Sequence, residues 1–556
     1  MADLKRLTSR HRVYTMMKSN KTTRKFVFFL ALAFIFLACT SSNESKRPVK
    51  LQGKIIDVVK KRDSDDIHDI YLKIEKTNLK EPESEQYYFV DDFFIIFLLE
   101  STHSLIFADY TSSDISSKNL YVKFEGIVVE QRNIDGVHQN VITEVNVFFP
   151  DYPASETSYE YRKINPGCPE PSYHHRYITV PISYDHLEWG ELELYYELCS
   201  DYDEKKPTVI VPTDGQRTFS QVGWADRYKQ IFDISLNVVT YEYRGMYCSC
   251  IPSLQKEKRD WYKIYESLNS DNVVEDIERI RLDLLGDKKI GILGGSGTAM
   301  IGLKYLSKYH KNVDRAFLMS FFKDAKGSSE SGIQYFEEFL KKNDLEHNYA
   351  DIVSNRMVKI EQILFLIQRL LYFDRNKAVE LIEEVSRNEL TLFEQLTDQL
   401  GTVDYFVRSA KKYKPWTVVF MFETNIITSA GGTPDINYPF LKEAEPLIEL
   451  VDQGIIPREK FDIPNLKDIA TEVLLVGGTL DQVAPIKETL RVHNELPNSR
   501  FIIFEAYHCL EQPPESKQAR NDLVDLFFLF GGRSEELNSY LKIEGEKAHF
   551  LDFIGE

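Results

Sequence analysis

Gly294-Gly295-Ser296-Gly297-Thr298 constrains this chain more than any other stretch. It lies between the apolar run Ile290-Gly291-Ile292-Leu293 and the segment Ala299-Met300-Ile301-Gly302-Leu303-Lys304-Tyr305-Leu306, which reads as a helix. A strand, a tight glycine turn and a helix in succession leave room only for small neighbours around the serine. Such a turn lifts the Ser296 hydroxyl above a sheet and points the following backbone N–H groups at a bound oxygen. A phosphate-cradling loop or a plain strand–helix junction uses similar residues, so the turn takes its meaning from what accompanies it.

Two places further down the chain supply that company. Strand Val473-Leu474-Leu475-Val476 runs into Gly477-Gly478-Thr479-Leu480-Asp481, and strand Phe501-Ile502-Ile503-Phe504 leads to Glu505-Ala506-Tyr507-His508. Singly, Asp481 reads equally well as a helix cap and His508 as a satisfied surface histidine. Together, Ser, Asp and His in that order, each after a strand, follow the chain order of α/β-hydrolases. A serine hydroxyl is a weak nucleophile. His508 would take its proton, while Asp481 would hold the imidazole tautomer and stabilise the imidazolium. The backbone N–H of Gly297 is the first oxyanion donor by position, with Gly215 and Gln216 as the second region.

The elements around these residues predict an α/β fold, an α/β-hydrolase core interrupted by a helical cap and preceded by a small β-rich, OB-like domain. Leu192 to Leu198, Thr208 to Val211, Leu236 to Tyr241, Ile290 to Leu293, Ala316 to Ser320, Val473 to Val476 and Phe501 to Phe504 read as strands spaced by helical stretches. That rhythm implies a mostly parallel sheet. From Phe321 to Asn465 the chain reads as helical, with Ile333 to Lys341, Ile360 to Tyr372, Ala378 to Val385 and Leu390 to Leu400. The expected division is a signal peptide at 1–38, a lipidated tether at 39–48 and a β-rich domain at 49–150. The core then occupies 165–320, the cap 321–465, the second part of the core 466–535 and a C-terminal tail 536–556. Phe93 to Leu99 is expected to cover the β-rich domain.

With 556 residues the chain is too long for one ordinary core. Its net charge is −18, and the first 38 residues are basic, so without them the balance is about −25. That balance, with no basic stripe on the predicted strands, argues against a nucleic-acid partner. Lys18, Lys21, Arg24 and Lys25 precede thirteen apolar residues, Phe26 to Ala38, and Cys39 follows at once. Such a run is short for a bilayer span but suits a signal-peptide core. Ala38-Cys39-Thr40-Ser41-Ser42-Asn43 resembles the processing site of a bacterial lipoprotein. The resemblance implies lipidation of Cys39, membrane attachment through that lipid and a place in the bacterial cell envelope, on its periplasmic or surface side. Cys168, Cys199, Cys248, Cys250 and Cys509 remain. Cys248 and Cys250 are too close to bridge each other easily, so Cys168 or Cys199 is the expected partner, and the odd count leaves at least one thiol free unless a bridge is intermolecular.

Residues 165–535 resemble the tripeptidyl and prolyl aminopeptidase-like group of α/β-hydrolases. Tyr177-Ile178-Thr179-Val180-Pro181-Ile182-Ser183-Tyr184-Asp185 is similar to that group's early strand, and Val238-Val239-Thr240-Tyr241-Glu242-Tyr243-Arg244-Gly245 to a later strand and turn. Asn272 to Arg281 looks like the helix before its elbow, and Gly478-Thr479-Leu480-Asp481 with Pro485 resembles its aspartate signature. The resemblance implies a serine hydrolase that releases residues from peptide N-termini. A cap glutamate would hold the substrate's amino group, and Glu423 stands in the comparable place, where a solvated or helix-capping glutamate is the other reading. An esterase or amidase on small acyl substrates uses the same triad, and a catalytically weak surface-binding protein is a third expectation. No H-E-x-x-H helix or paired Cys-x-x-Cys occurs, so no metal and no cofactor is expected.

The chain departs from the group at two points beside the nucleophile. Thr298 replaces a glycine, which predicts crowding or an altered turn. After Val211 the glycine-rich oxyanion loop is replaced by Pro212-Thr213-Asp214-Gly215-Gln216. A carboxylate there would oppose a developing oxyanion unless turned away.

Overall fold

In the computed structural model the described residues are 48–63, 66–76, 86–90, 121–134, 137–150, 159, 162 and 168–554, except 217–219, 255–258, 357, 374, 401, 425–435, 459–460, 462, 464–465, 482, 512 and 546. The expected signal segment, Cys39 and the Phe93 to Leu99 stretch lie outside them.

The first strands are β1 (Pro48–Asp63), β2 (Asp66–Lys76), β3 (Gln86–Val90), β4 (Tyr121–Ile134) and β5 (Val137–Pro150), and they pair as a closed barrel in the order β1-β2-β3-β5-β4. β3 and β5 run parallel, whereas β4 and β5 form an antiparallel pair.

The following strands are β6 (His175–Pro181), β7 (Glu191–Leu198), β8 (Thr208–Val211), β9 (Asn237–Tyr241), β10 (Ile290–Gly295), β11 (Val313–Met319), β12 (Glu472–Gly478), β13 (Ser499–Phe504) and β14 (Phe550–Ile554). They form one sheet in the order β14-β13-β12-β11-β10-β8-β9-β7-β6. From β9 through β8, β10, β11 and β12 to β13 every pairing is parallel. β6, β7 and β14 add antiparallel pairings at the two edges.

The central strands carry apolar runs along their middles because both faces are covered there. Alternate residues feed opposite cores. Ile210, Val239, Ile292, Leu318 and Leu475 pack with helices Ser270–Leu285 and Gly297–Tyr309. Val209, Val211, Val238, Leu293, Phe317 and Leu474 pack with helices Trp224–Ile231 and Pro514–Phe530 on the other face.

Between β11 and β12 the described elements are helical, running from Ala325–Lys342 to Tyr438–Asp452, apart from the short turn Leu466–Asp468. Part of this insertion has its own core, including Phe336, Ile363, Leu366, Leu370, Leu381 and Leu396. The C-terminal stretch read as a tail instead contributes helix Glu535–Glu544 and strand β14, paired antiparallel with β13. Cys168 is bonded to Cys248, with 5.3 Å between their Cα atoms, and Cys199 and Cys250 are buried free thiols. Of the two partners open to Cys248, only Cys168 is used.

Candidate active site

Ser296 stands alone between β10 and helix Gly297–Tyr309, with φ 56° and ψ −130°. A non-glycine residue held there stores about 1–3 kcal/mol of backbone strain. The Ser296 N–H donates to the Met319 carbonyl at 3.0 Å, which anchors the turn to β11. Thr298, expected to crowd the turn, instead ties it. Its hydroxyl donates to the Gly295 carbonyl at 2.7 Å and accepts the Gly295 N–H at 2.8 Å.

Asp481 follows β12 and is buried, with 4% of its surface exposed. Oδ1 accepts the N–H groups of Val483 at 3.0 Å and Ala484 at 2.9 Å. Both carboxylate oxygens also lie 3.0 Å from His508 Nδ1. The turn-capping role and the pairing with histidine are therefore held by the same residue. Burial alone would lower the His508 pKa. The Asp481 carboxylate overrides it and, with Cys509, holds the imidazole well above its ordinary 6.5. The aspartate and histidine loops touch at Gly478, where an added Cβ would lie 2.1 Å from the Ala506 carbonyl oxygen.

Ser296 is the member of the predicted triad that makes no hydrogen bond to the other two among the described residues. The elements nonetheless bring it to the same sheet edge, at the C-terminal ends of β10, β12 and β13. The Cys509 N–H donates to Ser320 Oγ at 3.0 Å, and Cys509 Sγ lies 3.1 Å from where a Gly295 Cβ would stand. The histidine loop thus packs directly against the elbow.

The expected oxyanion residues have separate fates. Gly297 opens its helix, where the first N–H groups have no partner within the helix. Gln216 donates its N–H to Asp214 Oδ1 at 2.8 Å, so this donor is taken. Gly215 packs against helix Pro415–Thr424.

Of its two expected readings, Glu423 takes the helix-capping one. Its carboxylate accepts the Ser270 N–H at 2.9 Å, at the start of helix Ser270–Leu285, and it is absent from the cavity lining. Burial pushes its carboxyl up, opposed by Lys304, which also bonds Ser270 Oγ at 2.7 Å.

A cavity of about 130 Å³ opens on Ser296 and Gly297. Its floor includes Gln216 and Ser320, and its walls come from the helical insertion, with Tyr335, Gln368, Phe420, Met421 and Asn437 among them. Every described lining residue is uncharged. Sequence reasoning missed Ser320, Tyr335, Gln368 and Asn437. Only Gln368 carried a signal, a polar residue inside the apolar helix Ile360–Phe373, where its side-chain amide donates to the Ile436 carbonyl at 2.9 Å.

A mostly parallel sheet with a strained serine on a strand–turn–helix and an Asp–His pair on the same edge defines the α/β-hydrolase architecture. The chain belongs to the alpha/beta hydrolase fold family, whose profile matches residues 229–510, a span that holds Ser296, Asp481 and His508. It is similar to a meta-cleavage product hydrolase from Pseudomonas fluorescens (16% identity, 61% of this chain and 94% of that one, TM-score 0.32). It is similar also to a serine hydrolase from Cycloclasticus zankles (16% identity, 64% and 98%, TM-score 0.34). A thermophilic esterase from Thermogutta terrifontis is a third (13% identity, 63% and 98%, TM-score 0.32). No curated protein matches the chain.

Proposed function

We propose that this protein is a serine hydrolase acting on small, uncharged acyl esters or amides. The observation that carries the reading is the His508–Asp481 pair, seated on the sheet edge that also presents Ser296. With Nδ1 committed to Asp481, Nε2 is the ring nitrogen left for proton transfer. Ser296 Oγ attacks the acyl carbon as His508 takes its proton. The bond to the leaving group breaks, and His508 returns the proton to that group. Water then attacks the acyl-enzyme, gives its proton to His508 and releases the acid, and the proton passes back to Ser296 Oγ. The missing Ser296–His508 hydrogen bond is compatible with this role, since catalytic bonds are often long before substrate binds.

Substrate class follows from the cavity. Its volume of about 130 Å³ approaches the ~150 Å³ that accepts a benzene ring, and it offers an uncharged lining. An ammonium group buried there would lack a compensating carboxylate. Release of residues from peptide N-termini is the second reading, supported by the Gly478-Thr479-Leu480-Asp481 and Pro485 resemblance and opposed by the placement of Glu423. We also propose that the helical insertion caps the cavity, and that the β1–β5 strand order belongs to a small OB-like barrel. The run Phe26 to Ala38 before Cys39 supports envelope attachment through a lipid on Cys39, which a Cys39→Ser variant would lose.

The test is covalent labelling with a fluorophosphonate probe beside Ser296→Ala, followed by short acyl esters and aminoacyl anilides. Labelling lost in the variant, with ester turnover leading, supports the proposal. Folded wild-type protein that refuses the probe removes it and leaves a binding role for the fold.

A further inference from the structure

We infer that Ser320 is a further catalytic residue, whose hydroxyl donates to the oxygen of a departing alcohol and so favours esters of poor leaving groups. The inference rests on the proposed role of Ser296 as nucleophile.

Ser320 is the cross-strand neighbour of Ser296. Gly295 pairs with Met319 across β10 and β11, and the Ser296 N–H donates to the Met319 carbonyl at 3.0 Å. Each serine is therefore the first residue past a paired strand end, on strands that stand about 4.8 Å apart. Both are held in left-handed backbone, at φ 56° for Ser296 and 49° for Ser320. Such strain persists only where the surroundings over-determine it, and it gathers at active sites. The surroundings of Ser320 are on hand. Its N–H donates to the Val476 carbonyl on β12 at 3.2 Å, and its hydroxyl accepts the Cys509 N–H at 3.0 Å. Accepting that bond leaves the hydroxyl proton, which finds no acceptor among the described residues. Ser320 lines the same cavity as Ser296 and Gly297, so a bound substrate is in reach of that proton.

Sheet order tells which part of the substrate it meets. In the order β13-β12-β11-β10-β8, the loop after β8 lies to one side of Ser296. Ser320, Asp481 and His508 follow β11, β12 and β13 on the other side. The leaving group has to face His508, which protonates it, so it departs on the Ser320 side. As the bond from the acyl carbon to the alcohol oxygen breaks, its electron pair stays on that oxygen and His508 supplies the proton. Ser320 keeps its own proton and holds the oxygen by a hydrogen bond that strengthens as negative charge grows there. Poor leaving groups gain most, because their oxygen carries the most charge at cleavage.

The experiment compares kcat/KM for an ethyl ester and a p-nitrophenyl ester of the same short acid. It uses the full chain, Ser320→Ala and Ser320→Gly, with melting temperature alongside. Glycine is at ease at φ 49°, so the second variant keeps the local backbone where alanine disturbs it. Loss of one such donor should lower turnover of the ethyl ester about 100-fold. The p-nitrophenyl ester should change far less, because nitrophenolate spreads its charge over the ring and leaves unaided. A merely positioning role, exerted through Cys509 and the histidine loop, would slow both esters alike. That result, variants that match wild type, or a wild type that cleaves only the p-nitrophenyl ester overturns the inference while the serine-hydrolase reading stands. A wild type that turns over neither ester and takes no fluorophosphonate removes both.

Discussion

Arg244 and Asp276 form an ion pair wholly shut off from solvent, joined through Nε and one terminal guanidinium nitrogen at 2.7 Å each. The same guanidinium donates to the carbonyls of Ile182 at 2.7 Å and Ser267 at 2.8 Å, and the Tyr184 hydroxyl donates to Asp276 at 3.1 Å. The early strand, the strand-and-turn and the helix before the elbow therefore meet at one point.

Removing one partner strands the other charge in the interior. Arg244→Ala should cost about 3–5 kcal/mol, measured by urea unfolding of the purified protein. A loss below about 1 kcal/mol would mean that the surroundings absorb the orphaned Asp276.

His508 must be neutral to accept a proton, and its pKa is held well above 6.5 chiefly by Asp481 against the effect of burial. Turnover of a neutral ester should rise with pH, with its midpoint above 6.5. Asp481→Asn should move that midpoint down and lower kcat by about 10⁴-fold. Because the folded pKa is raised, the pair's contribution to stability is complete below the ordinary value and lost as pH climbs through the raised one. A midpoint unmoved by the variant would separate His508 from Asp481.

Gly478 is pressed by the Ala506 carbonyl oxygen, 2.1 Å from the position of an added Cβ, and backbone cannot swing aside as a side chain can. Gly478→Ala should destabilise by at least about 1–3 kcal/mol. It should also reduce turnover in the protein that remains folded, since it pushes the histidine loop from the aspartate loop. Full activity at normal stability would sink this reading.

The Cys168–Cys248 bridge closes a loop with a sequence separation of 80. Chain-entropy reasoning assigns about 4.5 kcal/mol to a loop of that length. Cys248→Ser should lower the melting temperature, and a reducing agent should do the same to wild type while leaving the variant unchanged. A second anchor limits the local damage, because Glu242 accepts the N–H groups of Cys248 at 2.6 Å and Ser249 at 3.2 Å.

The parts of this fold that were readable share a physical reason. The middles of strands β8 to β13 are buried on both faces, so Val209 to Val211 or Phe501 to Phe504 stand out as unbroken apolar runs. The elbow was readable because tight backbone approach demands glycine, and the positions of Asp481 and His508 because each follows such a run. β14 escaped notice because a five-residue edge strand needs only one neighbour, and Asp552 interrupts its apolar run. Which helix Glu423 caps was not readable, because its target, the Ser270 N–H, lies 153 residues away in sequence. Thr298 looked like an intruder because its side chain was weighed as bulk, whereas its hydroxyl does the binding. The partner of Cys248 depended on where 80 residues of chain return, which no local pattern encodes.

Cys509 is a free, partly exposed thiol with its sulfur 3.1 Å from the Cβ position of Gly295. Any adduct on that sulfur has to find its volume beside the nucleophile. Alkylating agents would therefore silence a serine-dependent reaction, and inhibitor profiling alone would sort this protein among the thiol enzymes. Sensitivity of that kind would report who sits next to the reacting oxygen, and only the Ser296→Ala and Cys509→Ser pair would say which atom does the attacking.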